Sequence, residues 1–413
     1  MAQSVVSGWC DPRFGAVREE FELNFSERGE IGAALCLTVG GTIVADLRGG
    51  WTDASHRGPW SADTLVNVFS VGKGMLAACL ARLIGQRLLA PDAPVVRYWP
   101  QFGAAGKDHV TVRQLLSHQA GLPAVRAPLP PGSGLDWHLM TSVLAAEEPW
   151  WPLGSGHGYH VNTFGYLGGE LIRRITGLTP GEYLRRELAS PLGADVHIGL
   201  PPAEHHRVAD FAWPIARPDA AVEPGGTGEK VPDERRRSEP VPGQLASGER
   251  APGERMAGSQ MALSAYFNPP DFSGAGIVNT PVWRSAQMPS ANMHATAAGV
   301  ARIYAALAAG GTIDGVQVVA RGALAEAVEE QVYGRDLVLE RPSRFGLGFQ
   351  LTHSERPFGR GESCFGHFGA GGAVGFCDPD ADLAFGYVTN QMGPRWRNPR
   401  NTALMDACYA SFY

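Results

Sequence analysis

Two segments near the ends of the chain share one pattern. Residues 33–39 form an apolar run, Gly40-Gly41 follows, and residues 42–47 are again β-prone. Two short strand-forming runs about a glycine pair predict a hairpin. The pattern returns in residues 373–377, the turn formers Asp378-Pro379-Asp380, and residues 383–389. A sheet assembled from both ends of the chain is the economical reading. In residues 401–413, Leu404, Cys408 and Phe412 recur every four positions, which predicts a closing helix packed on that sheet. The middle carries a different period. From Met75 onward, Leu76, Cys79, Leu80, Leu83 and Ile84 recur at helical spacing. Phe164, Leu167, Leu171, Ile172 and Ile175 predict a second helix, with Gly177 placed to end it.

Residues 214–256 break both periods. They are rich in Pro, Gly, Glu and Arg and nearly lack bulky apolar side chains. Such a stretch buries too little surface to offset its ordering entropy, so an inserted loop is expected, in a position open to a lid. Composition otherwise describes a globular chain. Apolar residues make up 44% and charged residues 18%, and no apolar run approaches bilayer length. A formal net charge of −6 gives no basis for binding nucleic acid or an anionic membrane surface. The first residues lack a basic start followed by an apolar stretch, which leads to the expectation of a cytoplasmic protein. Six scattered cysteines (Cys10, Cys36, Cys79, Cys364, Cys377, Cys408) include no C-x-x-C pair and read as reduced thiols. There is no H-E-x-x-H, and the His205-His206 pair sits in a loop-like stretch, so neither a metal nor another cofactor is expected.

Chemistry enters with lysine, of which the chain has only Lys73, Lys107 and Lys230. Phe69-Ser70-Val71-Gly72-Lys73 opens the first helical pattern. Positions i and i+3 share a helix face, so the Ser70 hydroxyl and the Lys73 amine can meet. The helix start also offers free N–H groups where a carbonyl under attack gathers negative charge. A lysine entering an apolar face loses its charge more easily, as a base must. The competing reading is a helix-capping serine beside a surface lysine. Tyr159, just ahead of the second helix, carries a phenol able to relay a proton, or else is a core tyrosine with a satisfied hydroxyl. Gly366-His367-Phe368-Gly369-Ala370-Gly371-Gly372 is expected to enter the penultimate strand, where glycines let backbone approach a ligand and a free N–H could complete an oxyanion hole, or else is a glycine-rich turn before a strand.

In order and spacing these segments resemble the serine β-lactamase and penicillin-binding-protein superfamily, and more narrowly the family VIII carboxylesterases with the class C β-lactamase fold. Residues 111–123 (TVRQLLSHQAGLP) and 385–390 (FGYVTN) extend the likeness nearly end to end. The resemblance implies an α+β sandwich of the β-lactamase/transpeptidase type. It implies one catalytic unit with an α/β part (residues 1–65 and 280–413) and an inserted, mainly helical part (residues 66–279). It also implies Ser70 as nucleophile, Lys73 as its base and Tyr159 as the partner of leaving group and water. The backbone N–H groups of Ser70 and Ala370 would form the oxyanion hole.

Two departures shift the expected substrate. The family's asparagine two places after the tyrosine is Val161 here, with Asn162 one place later; Asn162 is kept as a candidate substrate contact. The family's Lys-Thr-Gly is His367-Phe368-Gly369, so a permanent cation becomes an imidazole beside an apolar ring. These three residues are expected to meet the substrate, with an uncharged ester favoured over penicillins and peptide C-termini. No G-x-S-x-G surrounds any serine, which excludes the α/β-hydrolase route at motif level. The expected activity is hydrolysis of small carboxylic esters of short to medium acyl chain. Acyl transfer through the same acyl-enzyme, β-lactam or D-Ala peptide hydrolysis, and a slowly acylating sensor are the alternatives.

Overall fold

The structure, a computed structural model, describes residues 6–213 and 252–412. Its centre is a nine-stranded, fully antiparallel sheet drawn from both ends of the chain. Across the sheet the strands run Ser7–Cys10, Thr42–Gly50, Gly32–Val39, Leu383–Thr389, Val374–Asp378, Phe365–Phe368, Gln350–Leu351, Pro342–Phe345 and Val332–Arg335. The two chain ends join where Gly32–Val39 pairs with Leu383–Thr389, with Leu35 opposite Tyr387. The expected hairpin is present; Gly40 and Gly41 turn it with positive φ of 54° and 75°.

Gly32–Val39 reads as a continuous apolar run because both of its faces are covered. Ala33, Leu35 and Leu37 pack with Phe21, Leu404 and Cys408, beneath the helices Gly15–Ser26 and Pro399–Ala410. Ala34 and Cys36 face the opposite core with Val300 and Tyr304 of the helix Ala297–Ala308. A Cβ on Gly375 would lie 2.6 Å from the Tyr304 ring, so glycine is what lets this helix press on the sheet. Pro399–Ala410 starts and stops earlier than its apolar spacing suggests. Asn398 caps it in a reciprocal box with Asn401, and Phe412 lies beyond its last turn.

The segment 366–372 also departs from expectation. Phe365–Phe368 is itself a strand, and the chain then turns through residues 370–372 before Val374–Asp378 begins. Gly371 and Gly372 make that turn with φ of 84° and 117°, values that other residues seldom adopt.

The helix Val71–Gly85 is buried all round, with only Arg82 and Gly85 reaching solvent. It packs on Thr163–Thr176, which Gly177 closes in a left-handed conformation as its position predicts. A small sheet of Val196–His197, His294–Ala295 and Val66–Asn67 leads into the helix that starts at Val71. One apolar core runs continuously from the large sheet through these helices. Of the loop expected at residues 214–256, residues 214–251 lie outside the described residues, and from Pro252 the chain is already in the helix Pro252–Phe267. Among the described residues no helix is long and apolar enough to cross a membrane.

Candidate active site

Ser70 stands where the chain turns sharply into Val71–Gly85. Phe69 takes a left-handed φ of 48°, a strained conformation for a bulky residue that costs on the order of 1 kcal/mol or more. Packing repays part of this, with the Phe69 ring edge-on to Phe211 at 4.9 Å. Although Ser70 occupies the capping position, its side chain caps no N–H. Its hydroxyl instead receives a hydrogen bond from Lys73 Nζ at 2.8 Å. Lys73 is fully buried and also donates to the Ser290 carbonyl at 3.2 Å. No carboxylate among the described residues pairs with it, and burial pushes its pKa well below that of an ordinary lysine. The capping-serine, surface-lysine reading therefore fails for these two residues.

Tyr159 is the third member of the group. Its ring lies 4.9 Å from Lys73 Nζ and stacks between Phe345 at 5.9 Å and His367 at 5.7 Å. Burial drives the phenol pKa well above its usual value, only partly opposed by a hydrogen bond with the Ser70 side chain. The phenol is thus held neutral and is not a standing phenolate.

Its backbone is anchored by Asp336, a fully buried carboxylate that accepts from the Tyr159 N–H at 3.0 Å, from Val338 and Leu339 N–H at 2.9 Å, and from Ser343 Oγ at 2.8 Å. His157 Nε2 bonds Ser343 Oγ at 2.9 Å. No motif marks Asp336 in the sequence; only the fold brings it 177 positions back to Tyr159.

His367 and Phe368 are placed otherwise than expected. His367 is fully buried, and its Nδ1 lies 2.7 Å from the Phe368 carbonyl, which can only accept. Nε2 is therefore the acceptor and faces the Tyr159 hydroxyl at 3.4 Å. Burial, with Lys73 nearby, brings the imidazole down to about 3, so it is uncharged. Phe368 stacks on Phe358 at 4.6 Å in the core beyond the sheet, and Gly369 donates its N–H to Ala373 at 2.7 Å. None of the three lines the cavity beside Ser70, because strand alternation turns them toward Tyr159 or into the core.

That cavity has a volume of roughly 360 Å³. Ser70, Ala370 and Asn162 are all on its wall, as are Phe69, Tyr266 and Trp396. The Asn162 amide already donates to the Ala265 carbonyl at 2.9 Å, tying the wall to the helix Pro252–Phe267. No described residue accepts from the N–H of Ser70 or of Ala370. Both N–H groups are thus free of a described partner, on residues that line the cavity.

Comparison with known proteins follows this geometry. The model of the beta-lactamase family matches residues 18–409. The chain is 36% identical over 389 residues to "Esterase/beta-lactamase LipL" of Mycobacterium tuberculosis, covering 94% of this chain and 83% of that one. The crystal structure of a family VIII carboxylesterase superposes with a TM-score of 0.85 at 36% identity, over 98% of this chain and 100% of that one. A penicillin-binding protein homologue from Caulobacter crescentus also gives 0.85, at 38% identity and with the same coverage. With its antiparallel sheet drawn from both chain ends and a serine–lysine pair at the head of a buried helix, the chain belongs to the beta-lactamase family.

Proposed function

We propose that the protein is a serine hydrolase that cleaves small carboxylic esters through an acyl-enzyme on Ser70. The observation that carries this reading is the 2.8 Å contact between Ser70 Oγ and a buried Lys73 that has no carboxylate partner among the described residues. A neutral amine at that distance takes the Ser70 proton as the oxygen attacks the ester carbonyl. The N–H groups of Ser70 and Ala370 receive the developing oxyanion. Tyr159, neutral and near enough to Ser70 to be influenced by it, hands a proton to the departing alcohol and is recharged through Lys73. Water then attacks the acyl group by the same route in reverse. His367 acts through Tyr159, whose hydroxyl its Nε2 contacts at 3.4 Å.

The similarity to proteins described as esterases supports esters as the substrate class. At position 367 itself an uncharged, buried imidazole offers a β-lactam carboxylate no cation. The cavity's roughly 360 Å³ and mostly apolar lining are those of a small-molecule pocket.

The test is steady-state turnover of p-nitrophenyl butyrate and nitrocefin, with intact-mass detection of the acyl-enzyme, on wild type and Ser70→Ala. Fast ester turnover, slow nitrocefin turnover and a butyryl adduct lost with Ser70 are expected, with activity falling on the order of 10⁴-fold. Retained turnover in Ser70→Ala would sink the assignment. An adduct without turnover would point to the slowly acylating sensor.

A further inference from the structure

The cavity beside Ser70 is walled mostly by apolar and aromatic side chains, and among the described residues no aspartate or glutamate faces it. Two arginines do, Arg341 and Arg395. Neither makes an ion pair with a described residue. The Arg341 guanidinium has one weak protein contact, from Nη1 to the Pro342 carbonyl at 3.5 Å, and lies 5.4 Å from the centre of the Trp396 ring. Stacking on an aromatic face fixes the plane of a guanidinium and leaves its N–H edge free to donate. The closest candidate partner, Asp336, is fully buried and already accepts from Tyr159, Val338, Leu339 and Ser343. Glu355 also acts on Arg341 electrostatically, without an ion pair. Burial disfavours the Arg341 cation, yet arginine keeps its charge under such conditions. A cation held in a largely apolar wall gains most from an anion that enters the cavity.

Its location says which half of an ester would carry that anion. Arg341 is near enough to Tyr159 for its charge to act on the phenol, and Trp396, which it stacks upon, packs 5.4 Å from the Tyr159 ring. Under the function proposed above, Tyr159 serves the departing alcohol, so this is the leaving-group side. We propose that Arg341, with Arg395 on the same cavity wall, binds a carboxylate carried on the alcohol half of the substrate, making esters of hydroxycarboxylic acids the preferred class. This rests on the proposed ester hydrolysis: Ser70 Oγ bonds to the acyl carbon as the acyl–oxygen bond breaks, the hydroxy acid leaves with the proton that Tyr159 delivers, and water then releases the acyl group from Ser70.

The test compares 3-acetoxybenzoate with 3-acetoxybenzamide, which differ at one group, in wild type, Arg341→Gln, Arg341→Lys and Arg395→Gln. The wild-type ratio of kcat/KM, benzoate over benzamide, is expected to be about 10 or more, expressed mainly in KM. Arg341→Gln should lower that ratio about tenfold, Arg341→Lys should restore part of it, and Arg395→Gln should lower it less. Mono-p-nitrophenyl glutarate against p-nitrophenyl butyrate places the carboxylate on the acyl half, and their ratio should not respond to Arg341→Gln. An unchanged benzoate/benzamide ratio in Arg341→Gln, or a loss confined to the glutarate ester, overturns the proposal while Ser70-dependent turnover leaves the hydrolase reading intact. Should neither ester turn over, calorimetric binding of the same pair to Ser70→Ala decides separately. Tighter benzoate binding that Arg341→Gln removes supports the carboxylate seat; equal binding overturns it. Melting curves identify any variant that fails to fold, and Arg395→Gln then carries the comparison.

Discussion

Replacing Arg400 with Met should destabilise the protein and slow acylation together, for reasons that can be separated. Arg400 Nη1 donates to Glu30 at 2.8 Å, and the two side chains are 5% and 0% exposed. Glu30 also accepts from Thr389 Oγ1 at 2.5 Å and from the Tyr387 hydroxyl. The other guanidinium nitrogen donates to the Gly371 and Gln391 carbonyls, both at 2.9 Å. Asn398 and Asn401 hold the Gly371 and Gly372 carbonyls at 3.2 and 2.9 Å. This network therefore fixes the turn that presents the Ala370 N–H.

Breaking a buried pair from one side costs about 3–5 kcal/mol, because the remaining charge is stranded. The lower end is expected here. Burial outweighs Arg400 and already raises the Glu30 pKa, so in the variant the carboxyl escapes part of the penalty by taking up a proton. A carboxyl whose folded pKa exceeds its unfolded value stabilises the fold at low pH and loses that contribution as pH rises through the folded pKa. The deficit of Arg400→Met, from urea unfolding, should thus be smaller at pH 5 than at pH 8. Loosening one oxyanion donor should lower kcat on p-nitrophenyl butyrate by about tenfold or more. In Glu30→Gln/Arg400→Met much of the stability should return while kcat stays low. A loss of under about 1 kcal/mol would show that the pair is not energetically coupled. Full kcat in a clearly destabilised variant would show that the turn does not depend on it.

Two further outcomes follow from the site. Because burial lowers the Lys73 pKa, kcat/KM should already be high at neutral pH and fall as pH drops through that pKa; a limb near the ordinary 10.5 would refute the neutral base. The same shift opposes folding below the unfolded pKa, so inactive Lys73→Met should melt above wild type at pH 7 and lose that advantage above pH 10.5. Asp336→Asn turns a carboxylate that accepts several backbone and side-chain bonds into an amide with one acceptor oxygen. It should cost about 2–3 kcal/mol in urea unfolding and lower kcat more than it raises KM; wild-type kcat would show that Tyr159 is positioned by other contacts.

Local order fixed much of what was legible in advance. Strand pairs about Gly40-Gly41 and residues 378–380, the helices over Leu76 and Leu167, and the Ser70–Lys73 pairing all follow from periods of two and 3.6 and from contacts within one helical turn. The family resemblance supplied the roles expected of Tyr159 and Ala370, both near Ser70 in the fold. Tertiary structure alone decided the rest. His367 has the same neighbours in sequence whether it meets a ligand or a phenol; strand alternation and burial choose the phenol and leave the imidazole uncharged. Glu30 and Arg400 are 370 positions apart, and Asp336 and Tyr159 177, so no local pattern announces either pair. Whether Lys73 is a base and Arg341 an anion seat depends on desolvation and on which charges lie nearby, and those are properties of the folded chain's interior.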